Sequence, residues 1–298
     1  MKKDGREIKI GYIKLPTFYL DFDAAQKNDP AGKSSSIDVI REINKLTNLE
    51  ISAMVVDLRG NPGGALTEAV NVAGLFIDQG PVVKIVYRTQ RTEVLSDDDP
   101  GIYYDGPLVV LIDRFSASAS EIFAGAIKDY RRGIVVGPTA TFGKGSVQEY
   151  NHLPSKIGAV KITTALFYQP GGTSNQLTGI APDIIIPDIS AVWDIGEDKL
   201  RHSLKWEKIP SASFIPYRNY LNREMIGTLQ EQSKRRVAGM KEFSDLNERI
   251  ASLKKLIATK EISLKEESNI EKHKVRDMEK QLKRENNNRV IDIKNDLF

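Results

Sequence analysis

The sequence predicts an α/β fold, in which a layered core with a mostly parallel sheet is followed by a mainly helical appendage. Over the first 190 residues, short apolar runs typical of buried strands alternate with segments of helical periodicity. After about residue 190 apolar residues become sparse, and residues 220–256 have a long helical pattern. We therefore predict a core over residues 1–190 and a charged, helical C-terminal region over residues 191–298.

The elements of the core are predicted from alternation, capping residues and turns. Residues 8–20 are predicted to be extended, because apolar residues alternate with others at the start of this segment. Serines 34–36 are predicted to cap a helix whose apolar positions are Ile37, Ile40, Ile43 and Leu46. A turn rich in Gly and Pro at residues 59–64 separates a buried strand from the next helix. The other predicted strands are 53–58, 81–87, 108–112, 133–137, 147–150, 159–168 and 184–186, and the other predicted helices are 65–76 and 118–130.

The composition excludes several kinds of site. The chain has no cysteine, which rules out a cysteine nucleophile, a thiolate metal site and a disulfide. Only three histidines are present: His202 and His273 lie in the appendage, and His152 is interpreted as a surface or core residue. We therefore expect no metal site and no cofactor, and a Ser-His-Asp triad has few candidates. The longest apolar runs are far shorter than the roughly 20 residues of a membrane-spanning helix.

Charge is distributed unevenly along the chain. Residues 201–298 carry 22 Lys and Arg against 15 Asp and Glu, although the whole chain has a net charge of +3. A basic tail can indicate nucleic-acid binding, but charges of both signs are interleaved here, as in residues 265–272. We interpret this region as a solvated helical surface and expect no nucleic-acid partner.

A serine-rich segment, residues 114–121, follows a buried strand and opens a helix. A serine in this position lies near unpaired N–H groups and the positive end of the helix dipole, which suits a nucleophile. The alternative is structural, because Ser118 and Glu121 have the spacing of a capping box.

A second candidate is Lys144, which lies between two glycines in the segment 141–148. On an extended strand Lys144 and Gln148 point to the same face, so the Gln148 amide could orient the amine. A lysine acts as a general base only if burial lowers its pKa. The alternatives are an exposed loop lysine or a phosphate loop. The spacing of Gly137 from Gly143 and the strand pattern that follows fit a phosphate loop poorly.

The third candidate is the turn at residues 57–64, where adjacent glycines can present N–H groups to an anion. A simple turn is the alternative, because Asn, Pro and Gly are turn formers. Together, the three segments supply a nucleophile, a base and oxyanion donors near strand ends. A serine with a lysine base is a known alternative to the triad.

Taken in the order in which they occur along the chain, these motifs resemble those of the tail-specific (C-terminal processing) proteases of peptidase family S41. The resemblance covers about residues 8–190, and the charged C-terminal region looks like that of the long periplasmic members. It rests on residues 57–64, 116–121, 129, 142–148 and 179–183.

The resemblance implies a crotonase-like α/β core and a serine endopeptidase with a Ser-Lys dyad. It places the nucleophile at Ser118 and the base at Lys144, with Gln148 in support, and Asp129 is interpreted as structural. The implied oxyanion donors are Gly63 or Gly64 and the backbone of Ala119.

The same resemblance implies protein or peptide substrates, a membrane-associated adaptor and a periplasmic location, although no signal peptide is recognised in this chain. Family members carry a PDZ domain before the core, and this sequence starts where that domain would end, so we expect the domain to be absent. The stretch 137–142 is one residue longer than the usual pattern, which a loop could absorb or which could displace Lys144.

Three functions are therefore considered. The first is a serine endopeptidase, and the second is a catalytically silent binding or regulatory protein with the same fold. The third is an acyl-thioester enzyme that uses backbone oxyanion donors without a Ser-Lys pair. The sequence determines neither the substrate nor the oligomeric state.

Overall fold

A five-stranded parallel sheet forms the centre of the fold in the computed structural model. The structure describes residues 2–3, 6–27, 29, 31–154, 157–218 and 221–258. Its strands are β3 (Ile10–Lys14), β4 (Ala53–Asp57), β7 (Leu108–Leu111), β8 (Ile134–Gly137) and β11 (Ile184–Ile185). The order across the sheet is β11-β8-β7-β4-β3, and all neighbouring strands are parallel. The parallel sheet and the helical C-terminal region confirm the predicted fold class.

A second sheet of four antiparallel strands has the order β6-β5-β10-β9. Its strands are β5 (Gly80–Tyr87), β6 (Thr92–Asp97), β9 (Ser146–His152) and β10 (Ala159–Tyr168). Three of these strands are predicted from the sequence, but β6 is not, because its residues are mostly polar and part-exposed. A short antiparallel pair, β1 (Lys2–Lys3) and β2 (Arg6–Glu7), precedes both sheets.

Helices of the core are α1 (Phe22–Gln26), α2 (Ser35–Asn48), α3 (Leu66–Gly74) and α4 (Ala119–Asp129). The Ser34 hydroxyl accepts a hydrogen bond from the Ile37 N–H, so the predicted N-cap of α2 is confirmed. The predicted apolar face is only partly right, because Ile43 is fully buried but Ile37 is 50% exposed.

Helix α4 is the most enclosed helix of the core. All of its residues from Ala119 to Ile127 are buried. The Phe123 ring lies 5.8 Å from the Phe76 ring and 6.2 Å from the Phe18 ring, measured between centroids. This packing fixes the start of α4, where the serine-rich segment lies, against the centre of the core.

The C-terminal region contains α5 (Arg223–Gly239) and α6 (Lys241–Ala258). The helical pattern predicted over 220–256 therefore corresponds to two helices separated at Met240, and residue 220 lies outside the described residues. The backbone of Met240 is extended, and it follows Gly239, a poor helix former. The chain groups into two compact units, of which the first runs to Ile250 and the second begins at Ala251. Along the described ranges, no helix is long and apolar enough to cross a membrane.

Candidate active site

The three serines of the segment 116–120 have different environments. Ser116 is fully buried, and its hydroxyl donates to the Leu58 carbonyl at 2.8 Å. Ser120 is also fully buried, and its hydroxyl donates to the Asn61 carbonyl at 3.0 Å. Ser118, by contrast, is part-exposed. Among the three, Ser118 is therefore the serine that a substrate can reach.

The backbone of Ser118 is unusual. Its φ of 56° and ψ of −113° lie outside the regions that non-glycine residues normally occupy. Strained backbone of this kind persists only where the surroundings fix it, and it is found mostly at functional sites. The strain is held by Glu121, whose carboxylate accepts a hydrogen bond from the Ser118 N–H at 2.8 Å. Glu121 therefore forms its half of the predicted capping box.

The glycine-rich turn lies directly against this serine. A Cβ atom at Gly63 would lie 2.8 Å from the Ser118 Cβ and 3.1 Å from the Ala119 nitrogen. The Gly63 N–H donates to the Asn61 side chain at 2.8 Å, so this donor is already occupied. Within the described part of the chain, the N–H groups of Gly64 and Ala119 donate to no protein acceptor.

Glu121 links the serine to the lysine. Its carboxylate is fully buried and accepts four hydrogen bonds, two on each oxygen. One oxygen binds the N–H groups of Ser118 and Lys144 at 2.8 and 2.9 Å, and the other binds the Thr141 hydroxyl and the Gly143 N–H. Burial raises the pKa of Glu121 to about 7, and the four hydrogen bonds act in the opposite direction.

The Lys144 side chain is part-buried, and its amine donates to the Ser146 carbonyl at 3.3 Å. Burial is the main cause that lowers the pKa of Lys144 below the usual 10.5, and the charge of Lys161 adds to the effect. The carboxylates of Glu197 and Glu121 act against it. The amine is thus easier to deprotonate than that of an exposed lysine.

Gln148 lies on β9, which begins at Ser146, so Lys144 lies just outside the strand on which the two were predicted to share a face. The Gln148 amide donates to the Thr163 hydroxyl at 3.4 Å on the neighbouring strand. Gln148 also lines a cleft of about 320 Å³. The other lining residues are Ser146, Thr163, Glu197, Leu200, Arg201, His202, Ser203 and Leu204. The support of Lys144 by Gln148 stays a prediction.

The remaining candidates from the sequence are Asp129 and the histidines. The Asp129 carboxylate accepts a hydrogen bond from the Gly171 N–H at 2.6 Å and so ties the end of α4 to a turn. Burial raises the pKa of Asp129. His152 and His202 are exposed, and His273 lies outside the described residues. Among the residues that the structure describes, no group of three or more acidic or histidine side chains could hold a metal ion.

Two buried residues of this site, Gln176 and Thr141, were not predicted from the sequence. Gln176 accepts a hydrogen bond from the Gly145 N–H at 2.7 Å, and Thr141 donates to Glu121. Neither lies in a pattern with a local explanation, so no sequence signal identified them. Glu121 was considered only as a capping partner, although its three-residue spacing from Ser118 was the signal that could have identified it.

Two protein-family models match this chain. Residues 9–186 match Peptidase family S41, and residues 192–297 match the C-terminal domain of tail specific protease (DUF3340). The chain belongs to peptidase family S41. The predicted resemblance to the S41 tail-specific proteases is confirmed.

The chain is also similar in sequence to individual proteases with given names. The chain is 39% identical to the tail-specific protease of Haemophilus influenzae, over 98% of this chain and 42% of that protein. It is 38% identical to the carboxy-terminal-processing protease of Bartonella bacilliformis, over 70% of this chain and 48% of that protein. The chain therefore spans less than half the length of either relative.

The fold has a counterpart among solved structures. The photosystem II D1 C-terminal processing protease superposes with a TM-score of 0.51 and 32% sequence identity. The superposition covers 59% of this chain and 42% of that protein.

Proposed function

We propose that this chain carries the catalytic core of a tail-specific serine endopeptidase, with Ser118 as the nucleophile and Lys144 as the general base. The observation that carries the proposal is the shared bond of their backbones to one carboxylate oxygen of Glu121. Two further features agree with it: Ser118 is the part-exposed serine of its segment, and burial favours a neutral Lys144. Membership of family S41 supports a peptidase, whereas the Ser-Lys pair rests on these features.

In the proposed reaction, the Ser118 hydroxyl attacks the carbonyl carbon of the scissile peptide bond while the neutral amine of Lys144 takes the hydroxyl proton. The protonated lysine then gives this proton to the leaving nitrogen, and the C–N bond breaks to leave an acyl-enzyme. A water molecule then attacks the ester carbon while Lys144 takes one of its protons. Lys144 passes this proton to the Ser118 oxygen as the ester C–O bond breaks, which releases the new carboxyl end and restores Ser118. Neither a metal nor a cofactor is part of these steps.

The oxyanion of the tetrahedral intermediate needs donors that are not already bonded. We propose the N–H groups of Ala119 and Gly64 for this role. Ala119 is the first residue of α4, so the positive end of the helix dipole also favours negative charge there. Gly63, the other predicted donor, has its N–H bound to Asn61 and would act by allowing the turn to approach Ser118 closely.

Protein or peptide substrates follow from the proposed activity. A periplasmic location and a membrane-associated adaptor are proposals that rest on the resemblance to the long tail-specific proteases. The predicted division at residue 190 likewise remains a prediction.

The test is cleavage of β-casein, followed by gel electrophoresis and mass spectrometry, for the parent chain and two serine variants. Ser118→Ala should abolish cleavage and change the free energy of unfolding by no more than about 1 kcal/mol. The control, Ser120→Ala, should lose about 1 kcal/mol, because a buried hydroxyl bond to Asn61 is removed, but should still cleave below its melting temperature.

Other results would contradict the proposal. Cleavage by Ser118→Ala at the parent rate would assign the nucleophile elsewhere. A folded parent chain that cleaves no site in casein would favour the catalytically silent alternative. Specific binding of acyl-coenzyme A would favour the acyl-thioester enzyme.

A further inference from the structure

The segment 195–204, which we call the bridging segment, lies beyond the residues that match the S41 family, yet it contacts both loops of the proposed site. The Glu197 N–H donates to the Phe142 carbonyl at 3.0 Å, two residues before Lys144. Arg114, at the start of the serine-rich segment, donates to the Ile195 carbonyl and to the Asp198 carboxylate. The bridging segment therefore touches the loops of both Ser118 and Lys144.

A buried chain of hydrogen bonds runs from this segment to the lysine loop. The Gln176 side chain is fully buried and accepts from the Gly145 N–H at 2.7 Å. Its amide nitrogen donates to the Glu197 carboxylate and to the Leu204 carbonyl, each at 3.2 Å. The Gln176 amide can satisfy all three partners only in this orientation. Its oxygen must face the Gly145 N–H, and its nitrogen must face the oxygens of Glu197 and Leu204.

Glu197 is itself 8% exposed, so its carboxylate is poorly solvated. Three charged groups act on the Lys144 amine: Lys161 on β10, Glu121 on α4 and Glu197 on the bridging segment. Glu121 is already committed to four hydrogen bonds. Of the two anions near the Lys144 amine, Glu197 is the one that lies after the residues that match family S41.

We propose that Glu197 is a positioning residue of the site, which fixes the backbone of the lysine loop through its buried hydrogen bond to Gln176. This inference takes the catalytic role of Lys144 from the proposed function, but the contacts themselves do not depend on it. It makes part of the C-terminal region a structural component of the site rather than a separate appendage.

The test measures Lys144 directly, so that it does not require proteolysis. The rate of reductive methylation of Lys144 is followed against pH by mass spectrometry of its peptide, and exchange of the Gly145 amide hydrogen is measured in parallel. Three variants are compared with the parent chain. Glu197→Gln removes the charge and keeps an acceptor, whereas Glu197→Asp keeps the charge and shortens the side chain. The third variant, Asp194→Asn, is the control. Asp194 is a matched control because its carboxylate lies nearby in sequence but is 80% exposed and pairs with Lys199.

Glu197→Gln should move the midpoint of Lys144 methylation to lower pH, because an anion that favours the ammonium is removed. Glu197→Asp should leave the midpoint near that of the parent and speed exchange at Gly145 about five- to tenfold, since the bond to Gln176 is weakened. Asp194→Asn should change neither quantity.

An unchanged midpoint in Glu197→Gln together with unchanged Gly145 exchange in Glu197→Asp would overturn the inference. If Glu197→Gln does not fold, the exchange arm with Glu197→Asp still decides it. Should casein cleavage be absent from the parent while both shifts are observed, the positioning by Glu197 stands and the proposed function fails.

Discussion

The loop that carries Ser118 and the loop that carries Lys144 are held in different ways. The serine loop is bonded to the residues that follow β4: the Ala117 N–H and the Ser120 hydroxyl both donate to the Asn61 carbonyl. The lysine loop also has main-chain bonds, from the Leu177 N–H to the Gly143 carbonyl and from the Phe167 N–H to the Gly145 carbonyl. In addition, its own N–H groups are bound by side chains from distant elements, Glu121 on α4 and Gln176 in the turn after β10. Both loops thus have main-chain partners, but they differ in their use of buried side chains. Three successive N–H groups of the lysine loop end on Glu121 or Gln176, whereas only the Ser118 N–H of the serine loop binds Glu121.

The difference shows where a single substitution can disable the site. Main-chain bonds at the end of a parallel sheet survive most changes of side chain, because any residue can supply an N–H or a carbonyl. A buried carboxylate that accepts four hydrogen bonds has no such substitute. We therefore expect the lysine loop to be the more sensitive of the two.

The largest effect is expected at Lys144 itself. Lys144→Arg should reduce casein cleavage by about 10²- to 10⁴-fold, because a guanidinium stays protonated and cannot act as a base. The control is Lys45→Arg, an exposed lysine paired with Glu42, which should cleave at the parent rate. Cleavage by Lys144→Arg at the parent rate would show that the lysine loop carries no catalytic group.

The pH dependence of casein cleavage by the parent chain should show the same requirement for a neutral Lys144. The neutral amine is the active form, so cleavage should rise with pH as Lys144 loses its proton. Because its pKa is lowered from 10.5, the plateau should be reached at lower pH than for an exposed lysine.

The next effect concerns the glycine turn beside the serine loop. Gly64 has a φ of +148°, and a Cβ there would lie 2.1 Å from the Phe18 carbonyl oxygen. Gly64→Ala should lose about 3 kcal/mol or more of unfolding free energy, measured by urea denaturation. Gly60→Ala is the control in the same turn, because its φ is +74° but no atom lies within 4 Å, and it should lose about 1 kcal/mol. Equal losses would mean that the turn does not pack as described.

Glu121→Gln tests the link between the two loops. An amide offers one acceptor oxygen, so its NH₂ group would face N–H donors now bound by the carboxylate, and about 2–3 kcal/mol of stability should be lost. The matched control, Glu42→Gln on an exposed face of α2, should change stability by less than about 0.5 kcal/mol. Thermal unfolding of both variants at pH 8 provides the measurement. A Glu121→Gln variant as stable as the parent would contradict the sensitivity expected of the lysine loop.

The smallest effect is expected outside both loops. The Asn222 side chain caps α5 by accepting from the Met225 N–H at 2.8 Å. Asn222→Ala should lower the free energy of unfolding by about 1 kcal/mol and leave the rate of casein cleavage per folded molecule unchanged. A large loss of cleavage would show that α5 supports the site.

Much of the core could be predicted from the sequence because its signals are local. The cap at Ser34, the parallel strands and the start of α4 at Ser118 each depend on residues within a few positions of one another. Strand β6 and the break at Met240 were not predicted. The first is mostly polar, and the second is a single extended residue inside a helical pattern.

By itself, the sequence determined which segments carry the candidate serine, lysine and glycines, because each segment has its own strand-end, turn or helix-start signal. Only the tertiary structure decided which groups in those segments are free to act. Ser116 and Ser120 are bonded and buried, whereas Ser118 is part-exposed. Glu121 meets the lysine loop from 22 residues away and Gln176 meets it from 31. Contacts of that length arise when the elements pack, so no local pattern of residues specifies them.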